Sequence, residues 1–330
     1  MQLTLYVPGL LLPDAIRADS VFALAAPALS QLLGRSQRLE LPPDWLASAF
    51  GINSPIPAAA LRKVGAGETA EGHWICLDPV HLQVTREGIS VADPLQLTLS
   101  AEESGALINA VQPLFAEWGE ISSTSPTHWE LQLQRPLTLE TRTLPDAVGQ
   151  PVDPALPGGA DGRTWRQRLS EAQTVLHAHA INQHRDTLGK PTVNSLWPWG
   201  AGPLPEHVQA NFNVTWSDHP VVAGLCAHAG LPCLTTPDRF QCASGRVLAC
   251  VDALERPARQ FDALAWRENL LKFDQNWLAP AIAAVKKGEC RELRLIGTCV
   301  HGEPATVGFL ITRSAMWRFW RRPQPLTALA

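Results

Sequence analysis

The spacing of apolar and polar positions divides the chain into short elements. "LTLYVPGLLLP" near the start is an apolar run that predicts a buried strand stopping at Pro8-Gly9. "SVFALAAPALSQLLGR" repeats its apolar residues at helical spacing, with Ser20 as a candidate N-cap. "LPPDWLASAFGI" predicts a second short helix, with Pro43 in its first turn and Gly51 at its end. From about residue 72 the texture changes. "HWICLDPVHLQVTREGISVAD" reads as two strands around "TREGI". "SAEESGALINAVQPLFAEW" is an amphipathic helix, and Ser100 with Glu103 three residues on has capping-box spacing. "HWELQLQRPLTLET" alternates as a strand does.

The Pro- and Gly-rich "PVDPALPGGADG" reads as a linker. Beyond it, "RTWRQRLSEAQTVLHAHAINQHRDTLG" predicts one helix ending near Gly189. Helix and strand then alternate: "VVAGLCAHAG", "RVLACVDAL", "LAWRENLLKFDQNWLAPAIAAVKKG" broken near Pro280, "ELRLIGTCV", and "ATVGFLITR" as a late edge strand. Such alternation predicts an α/β fold, a mostly parallel sheet flanked by helices, with an inserted smaller α+β module. The expected boundaries are residues 1–70 and 151–330 for the discontinuous core and 71–150 for the insert. A ligand site in such a plan lies at the carboxyl ends of the strands, facing the insert.

Composition narrows the function classes. The 330 residues are 45% hydrophobic and 18% charged, as in a globular chain. A net charge of −4 gives no general attraction to nucleic acid or anionic membrane. No run of 18 apolar residues occurs, and the N-terminus lacks the basic region of a signal peptide, so a cytoplasmic protein is expected. The seven Cys are scattered without a CxxC pair, signalling neither a zinc site nor a disulfide framework. Of the 12 Trp, four pair closely in sequence at 197/199 and 317/320, marking pocket walls or heavy packing. The tail "WRFWRRPQP" sets three Arg among aromatics, so residues 316–330 are a candidate surface for an acidic protein partner or nucleic acid, held by charge and stacking, or an amphipathic closing segment.

The densest candidate chemistry is "NQHRDTLGKPTVNSLWPWGAG". Asn182, Arg185 and Asn194 offer donors for an oxyanion or phosphate. Gly200 and Gly202 let backbone approach a ligand, and Trp197 and Trp199 wall off water. The same residues also suit a rigid corner joining helix to strand. His73, Asp78 and His81 form the densest titratable cluster, suited to acid–base work on a bound ligand or to bracing the insert. His177 and His179, two apart on a helix, point to different faces.

The same stretch resembles the approach to the "NxIWLWGxG" strand of archaeal-type cofactor-independent phosphoglycerate mutases, of the alkaline phosphatase superfamily. "LYVPGLLLPDA", "APALSQLL", "LPPDWLASAFGI", "GHWICLDPVHLQV", "CVDALERPAR", "LLKFDQ" and "LIGTC" follow in the order of that family's motifs. "HWICLDPVHL", "VNSLWPWGAG" and the terminal "FWRRP" also resemble the bacterial RpfE-type regulatory group. The resemblance implies an alkaline phosphatase-like core, two divalent metals and a Ser or Thr nucleophile.

Matched position by position, that machinery is missing. The first-strand Asp falls at Pro8 and the nucleophile at Pro43, with Asp44 beside it. Three ligands fall at Cys250, Glu255 and Arg259, and the terminal Asp-His at Thr298 and Cys299. The substrate-phosphate Arg falls at Gly72 or His73. Cys250 and Cys299 are expected at neighbouring strand ends. Asp218-His219 looks like a metal dyad but lies at the wrong place along the chain. The resemblance therefore implies a non-catalytic binding or regulatory protein. Its expected ligand is a phosphorylated small molecule in a cleft lined by residues 182–202 and 73–81, with no cofactor. The alternatives are an active mutase or phosphatase rewired through Cys250, Glu255 and Cys299 with manganese or zinc, and an interaction protein using the tail.

Overall fold

The computed structural model describes residues 1–12, 21–22, 24–52, 55–86, 88–152, 156–300, 305–317 and 320–329. The Ser20 cap expected above lies outside them. The strands are β1 (Gln2–Leu11), β2 (Gln37–Leu39), β3 (His73–Val80), β4 (Leu82–Thr85), β5 (Gly88–Val91), β6 (Gly119–Ser125), β7 (His128–Leu133), β8 (Ser195–Gly202), β9 (Val214–Trp216), β10 (Cys233–Leu234), β11 (Arg246–Cys250), β12 (Glu292–Cys299) and β13 (Thr306–Thr312). The chain forms two units, residues 1–53 with 207–330, and residues 54–206.

The first unit carries a seven-stranded sheet in the order β10-β9-β11-β1-β12-β13-β2. The five strands from β10 to β12 run parallel. Leu3, Leu5 and Val7 on β1 and Leu293 and Leu295 on β12 are buried and alternate with Thr4, Tyr6 and the exposed Arg294, as side chains on one face of a strand do. Chain order reverses at β13, which pairs antiparallel with β12 after a short connection. The strand expected at the edge is therefore internal, because β2 pairs along its other side.

β1 also does not stop at Pro8-Gly9. It continues to Leu11 through a register shift between Pro8 and Leu11. Gly9 makes this possible: its φ is +74°, and a Cβ there would sit 2.6 Å from the Leu254 carbonyl oxygen.

The helix Pro27–Arg35 starts without a cap of its own. The buried Asp274 carboxylate supplies one, accepting from the Ala28 and Leu29 N–H groups at 3.2 and 2.7 Å. Asp274 opens the π-helical turn Asp274–Leu278, which joins helix Ala263–Phe273 to Ala279–Lys287. The break expected near Pro280 takes this form, and the Asn276 carbonyl, four residues before the proline that cannot serve it, accepts from the Phe240 N–H at 2.9 Å.

The second unit holds a four-stranded antiparallel sheet, β6-β7-β3-β8, and the hairpin β4-β5. It is wider than the expected 71–150 insert. β8 fills the free edge of β3, with Asp78 opposite Trp197 and Cys76 opposite Trp199. That pairing draws the helices Gly162–Ala178 and Ala180–Thr187 into this unit. They are two helices rather than one. His179 leaves helical geometry at ψ 134°, and its Nδ1 accepts from the Ile181 N–H at 3.3 Å. The Ser100–Glu103 capping box forms as its spacing predicts. No described helix is long and apolar enough to cross a membrane.

Candidate functional site

Parallel strands deliver their carboxyl ends to one edge of the sheet, and short ties aim the following residues over it. In the first unit this edge holds a cavity of about 370 Å³. Pro8, Pro43, Cys250, Glu255, Arg259, Thr298 and Cys299 all line it. The seven positions at which the resemblance places catalytic groups thus converge in space. Cys250 and Cys299 are not on neighbouring strands, because β1 runs between β11 and β12. Tyr6, Asp44, His219 and Asp252 complete the polar lining.

His219 corrects the sequence reading. β9 pairs in parallel with β11, so the residues after Trp216 emerge at the same edge. There His219 caps the helix Pro220–His228, and its Nδ1 accepts from the Val221 N–H at 3.3 Å. β9 is three residues long, too short to show an apolar period, so its destination was not visible in the sequence. Tyr6 was missed as well. It stacks on Trp45 with centroids 5.5 Å apart.

The electrostatics of the cavity centre on one ion pair. The Arg259 guanidinium donates to a single Glu255 oxygen, from Nε at 3.0 Å and from Nη2 at 2.8 Å. The two lie one helical turn apart on Glu255–Arg259. Arg259 is the only Lys or Arg among the described lining residues. Burial, with Glu255 and Asp218 nearby, pushes the Asp252 carboxyl up to about 7. Burial, then Asp252, raises the Cys250 thiol, and burial, then Cys250 and Glu255, raises the Tyr6 phenol.

A two-metal centre does not fit this lining. Pro8 and Pro43 offer no side-chain donor, and Arg259 brings a cation that occupies the Glu255 carboxylate. Among the described residues no three His, Cys, Asp or Glu side chains form a metal-holding group.

The second unit gives the other expected residues internal partners. Asn182 is buried. Its amide donates to the Leu176 and Val193 carbonyls at 2.7 Å each, and its oxygen accepts from the Val193 N–H at 2.9 Å. Asn194 exchanges two hydrogen bonds with the Leu82 backbone, at 2.6 and 2.8 Å. Arg185 donates to the Pro191 and Thr98 carbonyls and to the Glu103 carboxylate. The His81 ring meets the Thr192 carbonyl at 2.9 Å. Trp197 donates to the Arg142 carbonyl and also lines a cavity of about 190 Å³ with Arg166, Gln173 and Ser195. Gly200, at φ +60°, packs where a Cβ would lie 2.7 Å from that of Ala58, and at Gly202 a Cβ would meet Pro57 at 3.1 Å. His73 starts β3 opposite Leu133.

Asp78 is fully buried and anchors a network. Arg62 binds it with both nitrogens, at 2.8 to 3.0 Å. The Trp199 indole N–H and the Trp129 backbone N–H donate to it at 2.8 and 3.2 Å. Arg62 also lies 4.8 Å from the Trp199 ring centre and 3.7 Å from Glu130. Burial pushes the Glu130 carboxyl up to about 8, so one cation faces one paired carboxylate and a second, protonated acid. These residues brace a corner: the polar atoms that suited an oxyanion are used by the protein.

The fold matches a solved structure over nearly its whole length. The PH0037 protein from Pyrococcus horikoshii superposes with a TM-score of 0.54 at 14% identity, over 99% of this chain and 95% of that one. This likeness shows the shared mixed α/β architecture. A cofactor-independent phosphoglycerate mutase from Thermoplasma acidophilum gives a TM-score of 0.49 at 16% identity, over 100% and 94% of the two chains.

Sequence relatives are more specific over a shorter span. The chain is 36% identical over 72 residues to a 2,3-bisphosphoglycerate-independent phosphoglycerate mutase of Methanosarcina mazei, 21% of this chain and 18% of that relative. It is 30% identical over 108 residues to that of Methanosarcina acetivorans, 31% and 27% of the two chains. The chain is thus related to cofactor-independent phosphoglycerate mutases, and the aligned segments span about a fifth to a quarter of those relatives. No family model matches.

Proposed function

We propose that this chain is a non-catalytic relative of the cofactor-independent phosphoglycerate mutases, a cytoplasmic binding or regulatory protein of the RpfE type. The observation that carries the reading is the Glu255–Arg259 pair inside the cavity where the relatives' chemistry would converge. Metal-assisted phosphoryl transfer needs carboxylates and imidazoles free to ligate and a hydroxyl free to attack. Here an internal cation satisfies a carboxylate, and prolines stand at two of the seven positions.

The ligand site of this reading is the same cavity, in place of the 182–202 stretch. A phosphorylated small molecule meets one Arg there and competes with Glu255 for it. The test has two arms. Purified protein is incubated with manganese or zinc, freed of excess metal, and assayed for bound ions and for interconversion of 3- and 2-phosphoglycerate. The expected result is near-zero metal and no turnover. Turnover that disappears in Glu255→Ala would overturn the proposal in favour of a rewired enzyme. In the second arm, a panel of phosphorylated metabolites raises the melting temperature of the protein, and Arg259→Ala removes the rise. A panel without effect on the unaltered protein removes the phosphate ligand.

Exposed Trp317 and Trp320 support a second reading, a protein partner held by residues 316–330. Deleting 316–330 would also remove the buried Met316, Leu326 and Leu329, so the test is Trp317→Ser with Trp320→Ser, which then abolishes partner capture and leaves the circular dichroism spectrum unchanged. Capture that survives the double substitution ends this reading.

A further inference from the structure

A second cavity of the first unit lies at the amino ends of the parallel strands, opposite the edge described above. Gln2 opens β1, Arg246 opens β11 and Glu292 opens β12, and all three line it. The cavity measures about 360 Å³, the size of a small-molecule site. Strand register builds its floor. Gln2 stands opposite Arg246 on one side and Glu292 on the other, and Thr4 stands opposite Arg294. Residues two apart on a strand share a face, so these five side chains occupy one face of the sheet. β1 runs between the strands of the two arginines, which sets them two strand spacings apart, about 10 Å across the sheet. Helix Trp45–Ala49 and Phe212 supply the apolar wall.

Two observations point to a ligand. Thr4 is 7% exposed and lines the cavity, yet its hydroxyl has no hydrogen-bond partner among the described residues. A polar group so deeply buried is normally satisfied, because leaving it unmet costs stability. The second observation is the charge balance. Arg294 pairs with Glu292 at 3.4 Å, whereas Arg246 has no ion-pair partner among the described residues. One uncompensated positive charge therefore stands beside a donor with nothing to donate to.

We propose that this cavity binds a small organic carboxylate with a planar apolar body. The carboxylate accepts from the Arg246 guanidinium and from the Thr4 hydroxyl. The planar fork of an arginine matches a carboxylate with two parallel hydrogen bonds. One negative charge balances the cavity, while a phosphate dianion would set a second against Glu292. The ligand body faces Trp45 and Phe212. Both rings are already held in place, Trp45 by stacking on Tyr6 at 5.5 Å and Phe212 by packing on the buried Phe50 at 6.2 Å. Binding then orders little of the wall. The Tyr6–Trp45 stack also divides this site from the phospho-ligand cavity, since Tyr6 lines that one and Trp45 this one. The carboxylate site stands whether or not the other cavity holds a phosphate.

Benzoate is the probe, because it joins one carboxylate to one planar ring, and benzamide is its neutral counterpart. Binding to the full chain is followed by saturation-transfer NMR and titrated to a Kd. Benzoate is expected to bind saturably, and benzamide about tenfold more weakly or worse. Arg246→Ala, at an exposed residue, and Thr4→Val, which keeps the shape and removes the hydroxyl, each weaken benzoate by about tenfold. Thr4→Ser, which retains the hydroxyl, keeps the parent's affinity. Arg259→Ala leaves benzoate binding unchanged. The proposal is overturned if benzoate does not bind saturably, if benzamide binds as well, or if Arg246→Ala or Thr4→Val has no effect. Loss of binding in Arg259→Ala puts the anion in the other cavity and also overturns it. Displacement of benzoate by inorganic phosphate at matched ionic strength overturns the carboxylate class. A melting curve that matches the parent's shows that each variant is folded.

Discussion

Asp78→Ala separates a bracing role from a ligand role at the most buried of the expected site residues. Removing the carboxylate leaves the Arg62 guanidinium, itself only 6% exposed, without its bidentate partner. Glu130 remains at 3.7 Å, its carboxyl raised to about 8 in the unaltered protein chiefly by burial, so at pH 6 burial still opposes its ionisation beside Arg62. The Trp199 indole N–H and the Trp129 backbone N–H lose their acceptor too. Breaking a buried ion pair from one side costs about 3–5 kcal/mol. The orphaned donors belong to the same network, so their cost overlaps with this figure. The assay is urea denaturation at pH 6, read as a fall in the midpoint at unchanged slope. The loss shrinks at higher pH. Asp78 is one of the charges holding Glu130 up, so in the variant Glu130 ionises earlier and takes over Arg62. A loss below about 1 kcal/mol at pH 6, or a gain, would refute the reasoning. A side chain kept for a ligand is held at a cost to stability, and its removal leaves the fold as stable or more so.

Asn182→Ala orphans the Val193 N–H and removes the donor to two buried carbonyls, for an expected loss of about 1–3 kcal/mol in the same urea assay. Gly200→Ala forces a Cβ to 2.7 Å from that of Ala58 at φ +60° and costs about 1–3 kcal/mol. Gly189→Ala, at φ +65° with nothing within 4 Å, costs about 1 kcal/mol, the backbone penalty alone. Glu130 sets a pH dependence. Its folded value near 8 lies above its ordinary 4.5, so its contribution is complete below about 4.5 and fades as pH rises toward 8. Glu130→Gln, which mimics the protonated acid, should flatten the stability profile between those limits. An unchanged profile would show that Glu130 is ionised throughout.

The parts of the molecule legible in the sequence are those whose signal is local. β1, β11 and β12 are short, mostly apolar segments, and their parallel pairing follows from the helices between them. The capping box at Ser100 is four consecutive residues. The two and three residues of β10 and β9 carry no period, and their pairing depends on a sheet built elsewhere. The 182–202 stretch shows the same limit for function. Asn, Arg, Gly and Trp serve a phosphate cradle and a packed corner equally well. Which of the two forms depends on distant partners such as Glu103, 82 positions from Arg185. The cavity is the opposite case. Its convergence follows from parallel strands ending at one edge, whatever side chains they carry. Its charge balance follows from helical spacing, since Glu255 and Arg259 are four residues apart. Given a helix there, the ion pair needs nothing further from the fold. An arginine four residues after a ligand-type glutamate therefore reports, in the sequence itself, that the carboxylate has a resident partner and that a metal would have to displace a cation to reach it.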